Sequence, residues 1–209
     1  MKLWKKLEVV ENPPAFIESD DVCYYARDYI SRGSHKDSEA NQLISNFKRH
    51  PRFRGQAPWR YKQRAIEQFA AELGDVIGKN RSIAAIPSSK LPDHPEYDSR
   101  LLDTLGVLKR LRPDLVIETP LSMKASTKPS HLGGSRSIDE ISFNLEWSGL
   151  SGNSQSLILI DDVLTTGAHF KACKQVIAAN APDVCVIGIF WARTVWPESQ
   201  SPFEDLSNF

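Results

Sequence analysis

The chain has 209 residues, 41% of them hydrophobic and 25% charged, and its 26 basic and 26 acidic side chains leave a formal net charge of +0. These values predict a globular chain of one domain, or of one domain with a small appendage. They exclude a global field that would recruit nucleic acid or membrane, so any such contact has to come from a local patch. Cys23, Cys173 and Cys185 are odd in number, widely spaced and set in apolar patterns. That predicts buried thiols in a reducing compartment and no zinc site. No apolar run approaches the roughly 18 residues of a membrane span, so the chain reads as cytoplasmic with no membrane partner.

In chain order, residues 1–19 read as a short arm or edge strand, with Leu7, Val9 and Val10 as its apolar part and Pro13-Pro14 ending it. Asp20 is then placed to cap a helix with Val22, Tyr25, Ala26, Tyr29 and Ile30 as its stripe. A second helix from Ser38 carries Ala40, Leu43, Ile44 and Phe47. Lys48 to Arg54 gathers four fixed positive charges beside Phe53. Such a segment suits either a solvated loop or contact with the phosphates of a ligand or nucleic acid. A third helix spans Trp59 to Ile77 with Ile66, Phe69, Ala70, Leu73 and Val76 inward, and Gly78 stops it.

An α/β pattern begins at Arg81. Ile83 to Ile86 reads as a short buried strand, and Ser88, Ser89 and Lys90 follow as a turn with two hydroxyls and a cation. That turn suits a pyrophosphate, or simply ends a strand. Asp98 to Leu111 is predicted helical, with Leu101, Leu102, Leu105, Leu108 and Leu111 facing a sheet. Leu115 to Ile117 is a short strand. Leu121 to Arg136 has no periodicity and is rich in Ser, Thr, Lys and Gly, as a lid would be. Residues 142–147 alternate, with Phe143, Leu145 and Trp147 on one side.

Leu157 to His169, LILIDDVLTTGAH, is the stretch around which the rest is organised. Leu157 to Ile160 reads as a fully buried strand, and Asp161 and Asp162 then stand at its carboxyl end, where open α/β sheets bind ligands. Thr165, Thr166 and Gly167 form a turn at a surface mouth. It opens a helix from Ala168 with Phe170, Cys173, Val176 and Ile177 at helical spacing. Free amides and the positive dipole end of that helix suit a phosphate, and two carboxylates nearby suit sugar hydroxyls. Together they describe a site for a ribose 5-phosphate; the plain alternative is an Asp/Thr turn that caps a helix.

This strand, acidic pair and Thr-Thr-Gly turn resemble the phosphoribosyl-pyrophosphate (PRPP) motif of type I phosphoribosyltransferases. The resemblance implies that Asp161 and Asp162 hold the ribose 2- and 3-hydroxyls. It also implies that Thr165, Thr166, Gly167 and Ala168 cradle the 5-phosphate, with His169 standing where Thr is frequent. Ser88, Ser89 and Lys90 match the loop that grips pyrophosphate and its Mg²⁺. Lys124, Thr127, Pro129, His131, Arg136 and Asn144 resemble a run in the ComF-like branch, with His131 in the place of Gln. Leu43 to Lys48 and Val184 to Thr194 extend the likeness, whereas the cysteine-rich amino-terminal zinc segment is absent.

The resemblance implies a mainly parallel sheet with helices on both faces and an amino-terminal helical cap. The divisions are 1–78 for the arm and cap, 79–196 for the α/β domain, and 197–209 for a flexible tail. It implies transfer from Mg²⁺-bound PRPP to a nitrogenous acceptor with release of pyrophosphate. Asp161 and Asp162 would act on the ribose and the metal, and Lys124 and Arg136 would supply catalytic charge from the lid. A PRPP or nucleotide sensor, or a ComF-like partner in DNA handling, is the alternative. A homodimer or a protein partner fits either reading, and nucleic acid is not required by either.

Overall fold

The computed structural model describes residues 3–8, 14–126, 137–152 and 154–196. In chain order they form β1 (Lys5–Lys6), β2 (Val22–Ile30), α1 (Glu39–Phe47), α2 (Trp59–Val76), β3 (Ser82–Ala85), α3 (Arg100–Leu111), β4 (Val116–Ile117), β5 (Leu121–Met123), α4 (Ile138–Phe143), β6 (Leu145–Trp147), β7 (Ser156–Leu164), α5 (Ala168–Asn180) and β8 (Cys185–Val195). Six strands make one sheet in the order β1-β2-β8-β7-β3-β4, and β5 and β6 pair separately. Within the large sheet β1 is antiparallel to β2 and every other pairing is parallel. The fold is α/β, a mainly parallel sheet covered by helices on both faces.

Alternation along the strands divides the core. Leu157 and Leu159 of β7, Cys23 and Tyr25 of β2, and Val186 and Phe190 of β8 face Phe170, Cys173 and Ile177 of α5. On the other face Ile158, Ile160, Ile83, Ile189 and Trp191 pack against Phe47 of α1, Phe69 and Leu73 of α2, and Leu105 and Leu108 of α3. Trp191 stacks on Phe69 with ring centroids 4.8 Å apart and meets Phe47 edge-on at 5.2 Å, a closely filled centre for this layer. Its indole N–H donates to Glu72 Oε2 at 2.6 Å, and Arg27 clasps the same carboxylate at 2.8 and 2.9 Å. The polar ends of this aromatic cluster are thereby satisfied.

The expected helix at 20–30 is a strand. Val22 to Ile30 runs parallel to β8 in register from Val22↔Ile187 to Ile30↔Val195. Its helical spacing misleads because both faces of a central strand are covered, so apolar residues appear at odd and even positions alike; the β-branched and aromatic residues of VCYYARDYI favour the extended state. The amino-terminal part of the chain is therefore joined to the main sheet by a full ladder, and α1 and α2 pack on that sheet as the remaining amino-terminal helices. The helix expected from Ser38 is α1, and Ser38 caps it, accepting from the Asn41 amide at 3.0 Å. Val76, Leu102 and Leu111, expected inward, are exposed. Leu121 to Met123, expected in a lid loop, pairs antiparallel with Leu145 to Trp147. Phe143 ends α4 and is 82% exposed, apart from buried Leu145. Cys185 is exposed as well, unlike the other two cysteines. Among the described residues no helix is long and apolar enough to cross a membrane.

Candidate functional site

From β3 the chain passes through α3 on one face of the sheet to β4, and from β7 it passes through α5 on the opposite face to β8. Adjacent parallel strands whose connections leave on opposite faces open a crevice at their carboxyl ends, where ligands bind in this architecture. β3 and β7 are that pair. Their ladder ends where the Ile86 amide donates to the Ile160 carbonyl at 3.0 Å. Asp161 and Asp162 lie just past that point, beside the departing segment that carries Ser88, Ser89 and Lys90.

The strand does not stop at Ile160, as the sequence suggested. β7 continues to Leu164 because β8 continues beside it, pairing Asp161 with Phe190, Val163 with Ala192 and Leu164 with Arg193. Adjacent residues of a strand point to opposite faces, so the two carboxylates have different surroundings. Asp162 faces the α1–α3 layer and is buried. Arg100, first residue of α3, donates to its Oδ2 through Nε at 2.8 Å and Nη2 at 2.6 Å, and Lys48, just past α1, reaches its Oδ1 at 3.0 Å. Burial alone would raise the Asp162 pKa, but these two cations outweigh it and hold the carboxyl below the usual range. Asp161 accepts from the Asp162 amide at 2.7 Å. Burial, and then the charge of Asp162, push its pKa well up.

Sequence reading missed most of this network. Arg100 Nη1 also donates to Asp98 Oδ2 at 2.8 Å. Asp98 is in turn held by Lys62 Nζ at 2.6 and 2.7 Å, while Lys62 also donates to the Arg49 carbonyl at 2.9 Å. Lys62 is 1% exposed. The sequence carries two signals of this. Lys62 occupies the apolar stripe of α2, four residues before Ile66, where a cation needs a buried partner. Arg100 opens a helix, the end at which cations are disfavoured unless paired.

At the turn, Gly167 adopts φ 85° as the N-cap of α5 and has no side chain to cap that end; the Ala168 amide makes a long bond to Thr166 Oγ1 at 3.4 Å. The amides of Ala168, His169 and Phe170 have no acceptor inside the helix, by its geometry. Thr165 is exposed, Thr166 and His169 are half-buried, and Thr165 Oγ1 accepts from Thr194 Oγ1 at 3.1 Å. Burial lowers the His169 pKa, with the Asp162 charge opposing, which favours a neutral imidazole. Gly167 is not at an open mouth as expected. It is buried beneath Ile17: a Cβ built there would lie 2.6 Å from Ile17 Cδ1, and the Phe16 amide donates to the Thr166 carbonyl at 2.9 Å. The side of the turn open to solvent is that of Thr165 and, in part, His169.

The remaining expected residues divide as follows. Ser88, Ser89 and Lys90 are half-buried at the crevice, and the Leu91 amide donates to Ser126 Oγ at 2.9 Å, tying this loop to the end of the β5 segment. Lys124 is engaged by Phe143, donating to its carbonyl at 2.7 Å with the ammonium 5.2 Å from its ring. Arg136, together with Thr127, Pro129 and His131, lies outside the described residues.

The Mg²⁺ that the resemblance implies does not fit the acidic pair as a joint ligand set. Both oxygens of Asp162 are taken by protein cations, and Asp161 belongs to the other face of the strand. Glu18, Asp20 and Asp21 bring ligating atoms within 4.8 Å of one another. They are matched, however, by Lys171, which reaches Glu18 at 2.7 Å and Asp21 at 2.9 Å, and by Lys174, which reaches Asp21 at 2.6 Å and Asp20 at 3.3 Å. These pairs tie α5 to the segment over Gly167.

No known family matches the sequence, and no curated protein matches it. Solved structures that resemble the fold include a hypoxanthine phosphoribosyltransferase from Staphylococcus aureus, with 14% identity over 64% of this chain and 74% of that one and a TM-score of 0.37. A xanthine-guanine-hypoxanthine phosphoribosyltransferase from Helicobacter pylori has 6% identity over 71% of this chain and 93% of its own, with a TM-score of 0.34. At these values the likeness says nothing about chemistry, which rests on the residues of this chain.

Proposed function

We propose that the protein binds PRPP in the β3/β7 crevice and transfers its phosphoribosyl group to a nitrogenous acceptor, releasing pyrophosphate. The observation that carries this reading is the juxtaposition, at the switch point of a parallel sheet, of Asp161 and Asp162, just past the end of the β3/β7 ladder, with the N-terminus of α5 reached through Gly167. Amides of Ala168 to Phe170, with the Thr165 and Thr166 hydroxyls, would receive the 5-phosphate. The Asp161 oxygen not taken by the Asp162 amide would accept from a ribose hydroxyl, and Asp162 would keep the strand end in place through Arg100. Pyrophosphate would lie toward Ser88, Ser89 and Lys90. In the reaction the bond from the anomeric carbon to the pyrophosphate oxygen breaks, its electron pair leaves with pyrophosphate, the acceptor nitrogen bonds to that carbon, and the nitrogen's proton passes to solvent. Asp161, in its ionised form, would stabilise the positive charge that develops near the ribose. No step is routed through Mg²⁺.

A second reading, a PRPP-binding protein without turnover, is favoured by Asp162 being already neutralised and by Lys124 being held by Phe143. One experiment separates the two. PRPP at about a hundred times its Kd raises stability by about 2.7 kcal/mol, which a thermal melt detects, and pyrophosphate release is then assayed with bases, nucleotides and nucleic acids as acceptors. Binding with release supports the transferase, binding without release supports the sensor, and no shift with millimolar PRPP rules out both.

A further inference from the structure

We propose that Lys48 is an anion-binding residue of this crevice, poised by Asp162 to take a diphosphate group; as applied to PRPP this rests on the reading above. Lys48 follows the last residue of α1, and its amide closes that helix on the Ile44 carbonyl at 2.8 Å, so its position is fixed by the backbone. Its ammonium reaches Asp162 Oδ1 at 3.0 Å, with the lysine side chain 45% exposed against 5% for Asp162. The other oxygen of Asp162 already holds two guanidinium donors of Arg100. The pair with Lys48 is thus half in water, where an ion pair contributes little, and Lys48 retains N–H donors toward solvent.

The charge count points the same way. Lys48, Lys62 and Arg100 share two carboxylates, Asp98 and Asp162, in the ion-paired cluster. From Lys48 to Arg64 the sequence contains no carboxylate, so nothing in its own segment competes for the ammonium. Among these cations Lys62 is buried under Asp98 and Arg100 spends three nitrogens on two carboxylates. Of these three cations, Lys48 alone combines exposure, a fixed root and a half-satisfied charge beside Asp162. An incoming diphosphate gains a charge-assisted bond, while Asp162 keeps Arg100.

The test measures Kd by calorimetry for inorganic pyrophosphate and, separately, for PRPP, using the full chain, Lys48→Ala, Lys48→Arg, and Lys36→Ala as an equal loss of charge on the exposed turn between β2 and α1. The expected result is that Lys48→Ala weakens pyrophosphate about tenfold or more, that Lys48→Arg recovers most of this, and that Lys36→Ala changes nothing. Melting temperatures confirm that each variant is folded. If Lys48→Ala binds both ligands as the unaltered protein does, or if Lys36→Ala weakens them equally, Lys48 is no anion site, and the PRPP reading stands on its own binding result. If pyrophosphate binds through Lys48 but PRPP does not bind, the anion site stands and the PRPP reading falls. Binding of neither ligand to the unaltered protein overturns both.

Discussion

Asp161 and Asp162 are adjacent and chemically identical, yet replacing each with Asn is expected to shift stability in opposite directions. Asp162 is buried and accepts from Arg100 and Lys48. Removing one member of a buried ion pair costs about 3–5 kcal/mol. The Lys48 arm is half-exposed and adds little, and Arg100 retains Asp98, so a loss of about 3 kcal/mol is the working figure for Asp162→Asn. For a chain of this size that is a fall of about 6–12 °C in Tm. Asp161→Asn keeps the acceptor for the Asp162 amide and removes a carboxyl whose pKa burial and Asp162 raise. An acid with a raised folded pKa is penalised once pH exceeds its unfolded value, and the penalty grows until the folded value is passed. Asp161→Asn is therefore expected to raise Tm at pH 8, with the gain shrinking as pH falls toward 4. For Asp162 the folded pKa is depressed, so its contribution is present at neutral pH and is lost as the solution is acidified through the carboxylate range. Melts followed by circular dichroism at pH 8, 6 and 4 read both effects. Equal destabilisation by the two substitutions at pH 8, or a Tm loss in Asp161→Asn, would refute the assignment of the carboxylates to separate environments.

Other outcomes follow from the same contacts. Gly167→Ala meets a left-handed φ and Ile17 at 2.6 Å, so urea denaturation is expected to show a loss of about 2 kcal/mol, and combining it with Ile17→Ala gives less destabilisation than the sum of the two. Lys62→Met leaves Asp98 with Arg100 alone and strands the Arg49 carbonyl; a loss of about 3 kcal/mol is expected, and a change under about 0.5 kcal/mol contradicts the burial of this cation. Glu72→Gln breaks the clasp of Arg27 and weakens the acceptor for Trp191. Partial burial alone would raise the Glu72 pKa, but Arg27, Gln68 and Trp191 outweigh that and hold it down, so the stability difference between the two proteins is expected to narrow as pH falls through the carboxylate range.

The parallel α/β class, the short buried strands and the turn at Thr165 to Gly167 were legible in the sequence because each depends on local pattern. Four branched apolar residues mark a buried strand, though not where it ends, and a glycine before a helix marks the φ 85° that the structure shows. Ile66, Phe69, Ala70 and Leu73 of the α2 stripe are local in the same sense. Tertiary structure decided what no window could hold. Val22 to Ile30 is a strand because β8 lies beside it, and β7 runs on through Asp161 and Asp162 because β8 does too. The different environments of the two carboxylates come from partners far along the chain, since Lys48 and Arg100 are 114 and 62 residues from Asp162. Ile17 reaches Gly167 across 150 residues in the same way. Backbone conformation answers to neighbours within a turn or two of chain, whereas the charge and cover of a site are set by whichever distant segments the sheet brings to its edge.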